Sequence, residues 1–331
     1  MSMVPHGGDL AAAEARWGRP AKGWLDLSTG INPMPYPVPA IDPTAWQRLP
    51  QHDRLRALLE TARACYAAPA DAPIVAAPGT QILIQLLPRL RPGARVAILG
   101  PTYGEHAACW AAESATVANV GSLDEAAAAE VVVLVNPNNP DGRIIGSERL
   151  LALASDLAAR AGLLVVDEAF AEVTPRGSVA SEAGRPGLLI LRSFGKFFGL
   201  AGIRLGFALG AAAEIDRLAR LLGPWAVPGP AIEIGIAALS DQGWQDEMRA
   251  RLSAAADRLT DLLTAHGFAD RGGTDLFRLV EHPEAARVWD RLGRAGILVR
   301  PFPDRPALLR FGLPGNDGDF VRLAAALSVE P

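Results

Sequence analysis

The chain has 331 residues and a formal net charge of −4, and half of its residues are hydrophobic. This length suffices for one large domain and a smaller one, and the weak negative charge gives no electrostatic footprint for a nucleic-acid partner. Cys65 and Cys109 are too few for a disulfide framework or a zinc site, and no apolar run approaches the roughly 18 residues that span a bilayer. We therefore expect neither a metal site nor a membrane anchor. Because the N-terminus also shows no charged-then-apolar leader, we expect a cytoplasmic protein.

Residues 1–40 are rich in proline, and we expect them to form an irregular N-terminal arm. Prolines between positions 33 and 39 exclude a helix there. The stretches His6–Asp9 and Gly30–Pro33 place polar groups beside glycines, where backbone amides can approach an anion closely. After this arm, Arg54–Ala67 has the apolar spacing of an amphipathic helix.

From position 41 to 224 the pattern predicts a large α/β domain. Short apolar strands alternate with helices, which is typical of an open, largely parallel sheet whose ligands bind where strands end and helices begin. The predicted strands are Ile74–Ala77, Arg95–Leu99, Thr116–Val120, Val131–Val135, Leu163–Asp167, Leu188–Arg192 and Arg204–Leu209.

Residues 225–331 predict a smaller α+β domain, because the strand–helix alternation ends near Pro224–Pro230. The predicted helices are Ala231–Ser240, Trp244–His266, Pro283–Arg294 and Asp319–Leu327. Predicted strands lie near Thr274–Val280, Ile297–Arg300 and Leu308–Leu313. No repeat and no low-complexity linker is evident.

Polar residues follow the predicted strands of the large domain. Gly79, Thr80 and Gln81 form a turn that opens a helix, and such a turn offers free N–H groups and a positive dipole end to a phosphate. Asp167 ends an apolar strand, where a carboxylate requires a partner. Lys196 lies among glycines and phenylalanines, where an ammonium ion is hard to solvate and a neutral amine becomes available to attack a carbonyl.

Ser193-x-x-Lys196, followed by Gly-Leu-Ala-Gly-x-Arg-x-Gly-Phe up to Phe207, resembles the lysine segment of fold-type I pyridoxal 5′-phosphate (PLP) enzymes. The closest resemblance is to the branch that holds histidinol-phosphate aminotransferases and the threonine-phosphate decarboxylases of cobalamin biosynthesis. It spans nearly the whole chain and includes the signature Asn136–Gly142. It implies the aspartate aminotransferase-like fold: an α/β large domain with a mostly parallel seven-stranded sheet and a smaller α+β C-terminal domain.

The resemblance also implies roles for individual residues, with Lys196, Asp167 and Tyr103 as the catalytic set. Lys196 forms the Schiff base with the cofactor, Asp167 pairs with the pyridine nitrogen, and Tyr103 stacks on the ring. Asn139 donates to the phenolic oxygen O3′. The residues implied to hold the cofactor phosphate are Gly79, Thr80, Gln81, Ser193 and Arg204.

The implied substrate ligands come from both ends of the chain. Arg310, within Leu309-Arg310-Phe311, matches the arginine that forks the substrate carboxylate, and Arg300 matches a second substrate arginine. The full implied set is His6, Gly7, Asn32, Asn139, Arg300 and Arg310.

Two positions depart from the family pattern. Leu49 stands where relatives carry a Tyr that reaches the partner's cofactor phosphate in the usual homodimer, so Gln51 or His52 is left to replace that contact. Phe170 stands where histidinol-phosphate aminotransferases carry a Tyr that donates to O3′. Because Phe170 cannot donate, we predict that O3′ relies on Asn139 alone.

Three features favour the decarboxylase: the His6–Gly8 start, the Gly30–Pro33 stretch, and Phe170. The expected substrate is a phosphorylated amino acid, L-threonine O-3-phosphate, which yields (R)-1-aminopropan-2-yl phosphate and CO₂. An aminotransferase acting on histidinol phosphate or an aromatic amino acid is the alternative, and a PLP-binding protein without turnover is a second one. We expect a homodimer, in line with the family.

Overall fold

The computed structural model describes residues 7–328, which divide into two compact units. One unit comprises residues 35–139 and 144–245, and the other comprises residues 7–34, 140–143 and 246–328 of the described chain. The expected domain limits at 41 and 224 stay a prediction.

Strands of both units are short. They are β1 (Leu25–Leu27), β2 (Ile74–Ala77), β3 (Arg95–Leu99), β4 (Thr116–Val120), β5 (Val131–Val135), β6 (Leu163–Asp167), β7 (Leu188–Ser193), β8 (Gly206–Gly210), β9 (Ala269–Thr274), β10 (Phe277–Glu281), β11 (Ile297–Pro301) and β12 (Leu308–Gly312).

Helices precede, separate and follow these strands. They are α1 (Leu10–Trp17), α2 (Thr44–Gln47), α3 (His52–Cys65), α4 (Thr80–Leu86), α5 (Gly104–Ala112), α6 (Ser147–Ala158), α7 (Phe194–Phe197), α8 (Ala212–Leu222), α9 (Gly229–Ser240), α10 (Gln242–Ala265), α11 (Ala285–Arg294) and α12 (Asp317–Leu327).

The larger unit is built on a seven-stranded sheet in the order β2-β8-β7-β6-β5-β3-β4. Every neighbouring pair is parallel except the two that involve β8. Strands β5 and β6 are buried along their whole length, as expected where helices cover both faces of a parallel sheet. The predicted mostly parallel seven-stranded α/β sheet is thus confirmed.

Strand β8 brings the ends of its two neighbours together. It runs antiparallel between β2 and β7, so its first residue, Gly206, lies opposite Ala77 at the end of β2 and Ser193 at the end of β7. A Cβ on Gly206 would stand 2.6 Å from the Thr80 nitrogen. Glycine is therefore required for this close approach of three chain segments.

The other unit contains a five-stranded sheet in the order β1-β11-β12-β10-β9. Strand β1 pairs with β11 in parallel, and the remaining pairs are antiparallel. The sequence predicts an irregular arm over residues 1–40, but the structure differs, because this segment forms α1 and β1. Helix α1 forms from residues of high helix propensity, and the Asp9 side chain accepts a hydrogen bond from the Ala12 N–H at its start.

Candidate active site

A cavity of about 150 Å³ opens at the carboxyl ends of the strands in the seven-stranded sheet. All the residues that the sequence predicted as cofactor ligands line it: Gly79, Thr80, Gln81, Tyr103, Asn139, Asp167, Ser193, Lys196 and Arg204. The strand order therefore assembles side chains that are far apart in sequence. Within residues 7–328, no group of His, Cys, Asp and Glu is arranged to hold a metal ion.

One end of the cavity is suited to an anion. Gly79 has a φ of +86° and precedes α4, and a Cβ added to it would stand 2.9 Å from the Arg204 guanidinium carbon. Arg204 itself adopts the left-handed conformation, and its Nη1 donates to the Ala201 carbonyl at 3.2 Å. Ser193 ends β7 on the same side of the sheet. These groups offer a guanidinium, a hydroxyl and helix-start amides to a phosphate.

Asp167 is held by a second buried residue. Its Oδ2 lies 2.9 Å from His106 Nε2, and its Oδ1 accepts from the Ala169 N–H at 3.1 Å. Asp167 is 4% exposed and His106 is fully buried. With Asp167 ionised, His106 Nε2 carries the hydrogen and donates it, which fixes the carboxylate's orientation.

Sequence reasoning did not identify His106. The available signal was its position in α5, three residues after Tyr103, because residues three apart on a helix share a face. The Tyr103 and His106 rings meet edge to face with centroids 6.1 Å apart. The His106–Asp167 contact links two strand–helix units, and local patterns do not report such a contact.

Tyr103 is a neutral phenol over the range in which enzymes operate. Burial raises its pKa to about 12, with Glu105 and Asp167 adding to the effect and Arg204 opposing it. Its ring is therefore available for stacking, and its hydroxyl has little acid–base capacity near neutral pH.

Lys196 lies in α7, directly after β7, and its Nζ is 5.8 Å from the centroid of the buried Phe170 ring. Phe170 lines the same cavity but offers no polar atom to a ligand. The predicted reliance of O3′ on Asn139 is consistent with the turn that follows β5. Of its asparagines, only Asn139 lines the cavity, whereas Asn136 bonds to backbone groups and Asn138 bonds to Thr102 and a backbone carbonyl.

An ionic cluster lies beside these residues, and we call Glu168, Glu172 and Arg192 the buried ionic cluster. Arg192 Nη1 donates to Glu168 Oε2 at 2.6 Å, and Nη2 lies 3.2 Å from Glu172 Oε1. Glu168 also accepts from the Ser178 hydroxyl and the Val179 N–H, both at 2.7 Å. Burial raises the pKa of Glu172, and the Arg192 guanidinium partly opposes this effect.

The predicted substrate arginines lie in the other unit. Arg310 on β12 is 7% exposed, and its Nη2 donates to the Ser28 carbonyl at 2.8 Å. Arg300 on β11 is its direct cross-strand neighbour. Burial and Arg300 lower the pKa of Arg310 to about 10, and Asp26 opposes this. An anion bound to Arg310 would compensate the charge of a guanidinium that is buried beside a second arginine.

Two further predicted substrate ligands, Gly7 and Asn32, belong to the same unit as these arginines, whereas Asn139 belongs to the unit that contains the first cavity. Gly7 and Arg300 line one cavity of about 630 Å³. Asn32 is buried, and its Oδ1 accepts from the Met34 N–H at 2.8 Å. His6 lies outside the described residues. The assignment of these residues to the substrate stays a prediction.

The predicted cofactor can be tested against the first cavity. PLP carries a phosphate, an aldehyde, a phenolic oxygen and a ring nitrogen. The cavity supplies an anion cradle that a Cβ at Gly79 would fill, the amine of Lys196, the amide of Asn139 and the carboxylate of Asp167. The donor set therefore fits PLP group by group.

Known proteins resemble this chain over nearly its whole length. A family model described as aminotransferase class I and II matches residues 51–327. The threonine-phosphate decarboxylase of Pseudomonas aeruginosa is 46% identical over 328 residues, which cover 98% of this chain and 97% of that protein. The threonine-phosphate decarboxylase of a Sinorhizobium species is 45% identical and covers 98% of both chains.

Solved structures show the same fold. The histidinol-phosphate aminotransferase from Sinorhizobium meliloti, in complex with pyridoxal-5′-phosphate, aligns with a TM-score of 0.83 at 23% identity. The alignment covers 98% of this chain and 94% of that one. The predicted family and fold are confirmed, and the chain belongs to the aminotransferase class I and II family.

Proposed function

We propose that this chain is a PLP-dependent carboxy-lyase that removes CO₂ from L-threonine O-3-phosphate and leaves (R)-1-aminopropan-2-yl phosphate, as a step in cobalamin biosynthesis. The observation that carries this proposal is the identity of 45% and 46%, over 98% of the chain, to two threonine-phosphate decarboxylases. The residues that line the cavity supply the parts that such a reaction needs.

When bound, PLP supplies an aldehyde for amines and a cationic ring that accepts electron density. Arg204 and Ser193 hold its phosphate, together with the amides that follow Gly79. Asp167 keeps the ring nitrogen protonated, and His106 holds the Asp167 carboxylate in the orientation needed for that contact. Tyr103 supplies an aromatic face, and Lys196 supplies the amine.

The substrate carries a carboxylate and a phosphate, and two arginines suit two anions. Arg310 forks the carboxylate, and Arg300 binds the phosphate together with the Gly7 segment. Support comes from the cross-strand position of the two arginines and from the cavity that Arg300 shares with Gly7. Because Arg310 is buried, its attraction to a bound anion is screened less by water than at the protein surface.

The proposed decarboxylation needs neither an oxidant nor a reductant. The bond between Cα and the carboxylate breaks, CO₂ leaves, and a proton takes its place on Cα. Lys196 is the side chain in the cavity that can hold and return this proton. The buried Phe170 and the half-buried Tyr103 both line the cavity, and their aromatic surfaces leave less room for water beside the reacting carbon.

A direct assay tests the proposal. Purified PLP-loaded protein is incubated with L-threonine O-3-phosphate, and released CO₂ and the amino alcohol phosphate are measured. We expect both products in equal amounts. Amino-group exchange between glutamate and imidazole-acetol phosphate, with no CO₂ release, would instead support the histidinol-phosphate aminotransferase. Bound PLP with neither reaction would support a protein without turnover.

We also propose that the enzyme is a homodimer that is located in the cytoplasm. Trp46 is 69% exposed and Leu49 is 59% exposed, and Leu49 lines a cleft with Ala45 and Gly229. Large exposed apolar side chains beside a cleft are typical of an interaction surface. Analytical ultracentrifugation should give twice the chain mass. Trp46→Glu should lower that mass, whereas Val321→Glu, at an exposed position of α12, should not.

Cell fractionation tests the proposed location in the cytoplasm. Among residues 7–328, no helix has the length and apolar character needed to cross a membrane.

A further inference from the structure

Gln81, Tyr103 and Glu105 form a short hydrogen-bonded chain at the side of the cofactor cavity. The Tyr103 hydroxyl donates to Gln81 Oε1 at 3.1 Å, and Gln81 Nε2 donates to Glu105 Oε2 at 2.9 Å. Gln81 lies in the first turn of α4, and Glu105 lies in the first turn of α5. The chain thus ties the starts of two helices that follow different strands.

The direction of each hydrogen bond follows from the donor inventory of these groups. An ionised carboxylate only accepts, so the Gln81 amino group must face Glu105. The Gln81 carbonyl oxygen then faces the Tyr103 hydroxyl and accepts from it. Glu105 therefore sets the orientation of the Gln81 amide, and Gln81 in turn sets the direction in which the Tyr103 hydroxyl points.

We propose that Gln81 is a positioning residue that holds the Tyr103 ring in its orientation for the cofactor, with Glu105 fixing the Gln81 side chain. This inference rests on the proposed cofactor site and deepens it. It also differs from the role implied by the sequence, in which Gln81 meets the cofactor phosphate. The Gln81 side chain is engaged at both ends by Tyr103 and Glu105, so the phosphate contact at this turn falls to backbone amides.

Two further observations agree with a fixed, neutral phenol. Burial raises the pKa of Tyr103 to about 12, so its hydroxyl keeps the hydrogen that it donates. The ring also contacts His106 edge to face, and His106 is the residue of α5 that bonds to Asp167. Tyr103 is thus constrained at its hydroxyl by Gln81 and at its ring by His106.

Fluorine NMR provides a test that is independent of catalysis. The chain has three tyrosines, at positions 36, 66 and 103, so PLP-loaded protein labelled with 3-fluorotyrosine gives three resonances. Tyr103→Phe identifies the resonance of Tyr103 by its disappearance. Gln81→Leu should shift and broaden that resonance and leave the other two in place. Gln85→Leu, an exposed glutamine on the same helix, should change none of them.

A double-mutant cycle on cofactor affinity and on kcat/KM separates positioning from direct contact. Gln81→Leu should lower kcat/KM about threefold to tenfold in the wild-type background, as expected for loss of one partly buried hydrogen bond. The same change should have almost no further effect in Tyr103→Phe, because the hydroxyl that Gln81 holds is already gone. Glu105→Gln, which keeps an acceptor, should retain more activity than Glu105→Leu.

Two outcomes would overturn the inference. One is a Tyr103 resonance that Gln81→Leu leaves unchanged. The other is an equal loss of PLP affinity from Gln81→Leu in both backgrounds, which would show direct contact with the cofactor. If the protein binds PLP and lacks decarboxylase activity, the proposed function fails, while the NMR result and the affinity cycle still decide the role of Gln81.

Discussion

Two adjacent carboxylates at the end of β6 are placed in opposite surroundings. Asp167 lines the cofactor cavity and is oriented by His106. Glu168 points into the buried ionic cluster, where Arg192 and the Ser178 hydroxyl surround it. Because neighbouring side chains of a strand point to opposite faces, one step along the chain separates a group that can act on a ligand from one that stabilises the fold.

The comparison predicts that the largest loss of stability comes from the buried ionic cluster. Arg192→Leu removes the guanidinium that two buried carboxylates face, and should lower the free energy of unfolding by about 3–5 kcal/mol. Urea denaturation measures this. The matched control is Arg185→Leu, which breaks an exposed pair with Glu182 at 3.2 Å and should change stability by less than about 1 kcal/mol. Similar losses in both variants would contradict the distinction.

Asp167→Asn should lower activity strongly and change stability little, in contrast to Arg192→Leu. The change keeps the shape of the side chain and removes the charge that, in the proposed function, pairs with the ring nitrogen. We expect kcat/KM to fall roughly 10²–10³-fold, as for other groups that stabilise charge in a preorganised site. Unfolding free energy should change by no more than about 1 kcal/mol. A variant that unfolds as readily as Arg192→Leu would place Asp167 among the structural groups.

His106 should have an intermediate effect, because it acts through Asp167. His106→Leu removes the donor to Oδ2, and we expect a fall in kcat of about 10- to 100-fold, as for a hydrogen bond to a charged group. His106→Gln retains an N–H donor and should recover part of the activity. The absorbance of bound PLP as a function of pH should change in both variants. An unchanged pH profile would argue for a packing role only.

Phe170→Tyr should add a donor near the cavity wall and change the cofactor more than the fold. In the proposed site, a phenol at position 170 would donate to O3′ and stabilise the ionised form of that oxygen. We therefore expect the absorbance titration of the PLP-loaded protein to move to lower pH, on the order of one pH unit. If the titration does not move, O3′ is not within reach of residue 170.

Glu172→Gln should have the smallest effect, and its sign depends on pH. Because burial raises the Glu172 pKa above 4.5, the ionised form makes folding less favourable at neutral pH, and this penalty disappears below the unfolded-state value. Glu172→Gln should therefore raise the unfolding free energy at pH 8 and have little effect near pH 4. Loss of stability at pH 8 would show that Arg192 requires both carboxylates.

The seven-stranded sheet could be predicted because its buried strands β5, β6 and β7 each begin with at least four consecutive apolar residues. The prediction for β7 stopped one residue short, at Arg192, since nothing local distinguishes Ser193 from a turn. Strand β1 could not be predicted, because three residues become a strand only by pairing with β11, far along the chain. Strand β9 reads as a loop, with exposed residues and two glycines.

The candidate site could be predicted where single motifs carry it, and not where two motifs meet. Each residue that lines the cavity from a strand end has a local signal, such as the glycine turn at Gly79. The His106–Asp167 contact and the bond from Tyr103 to Gln81 join different strand–helix units. Their distances depend on the packing of α4 and α5 against the sheet, which no short pattern encodes.

The position of β8 has a consequence for synthesis of the protein. Gly206 pairs with Ala77 and Ser193 and lies against Gly79, so β8 joins the two segments, and Arg204 lies two residues before that strand. A ribosome that has made the first two hundred residues has therefore produced the lysine and the aspartate, but no finished binding place for an anion. We therefore expect PLP to bind only after β8, the last strand of the sheet, has been made. A chain truncated before β8 should not gain activity when PLP is added.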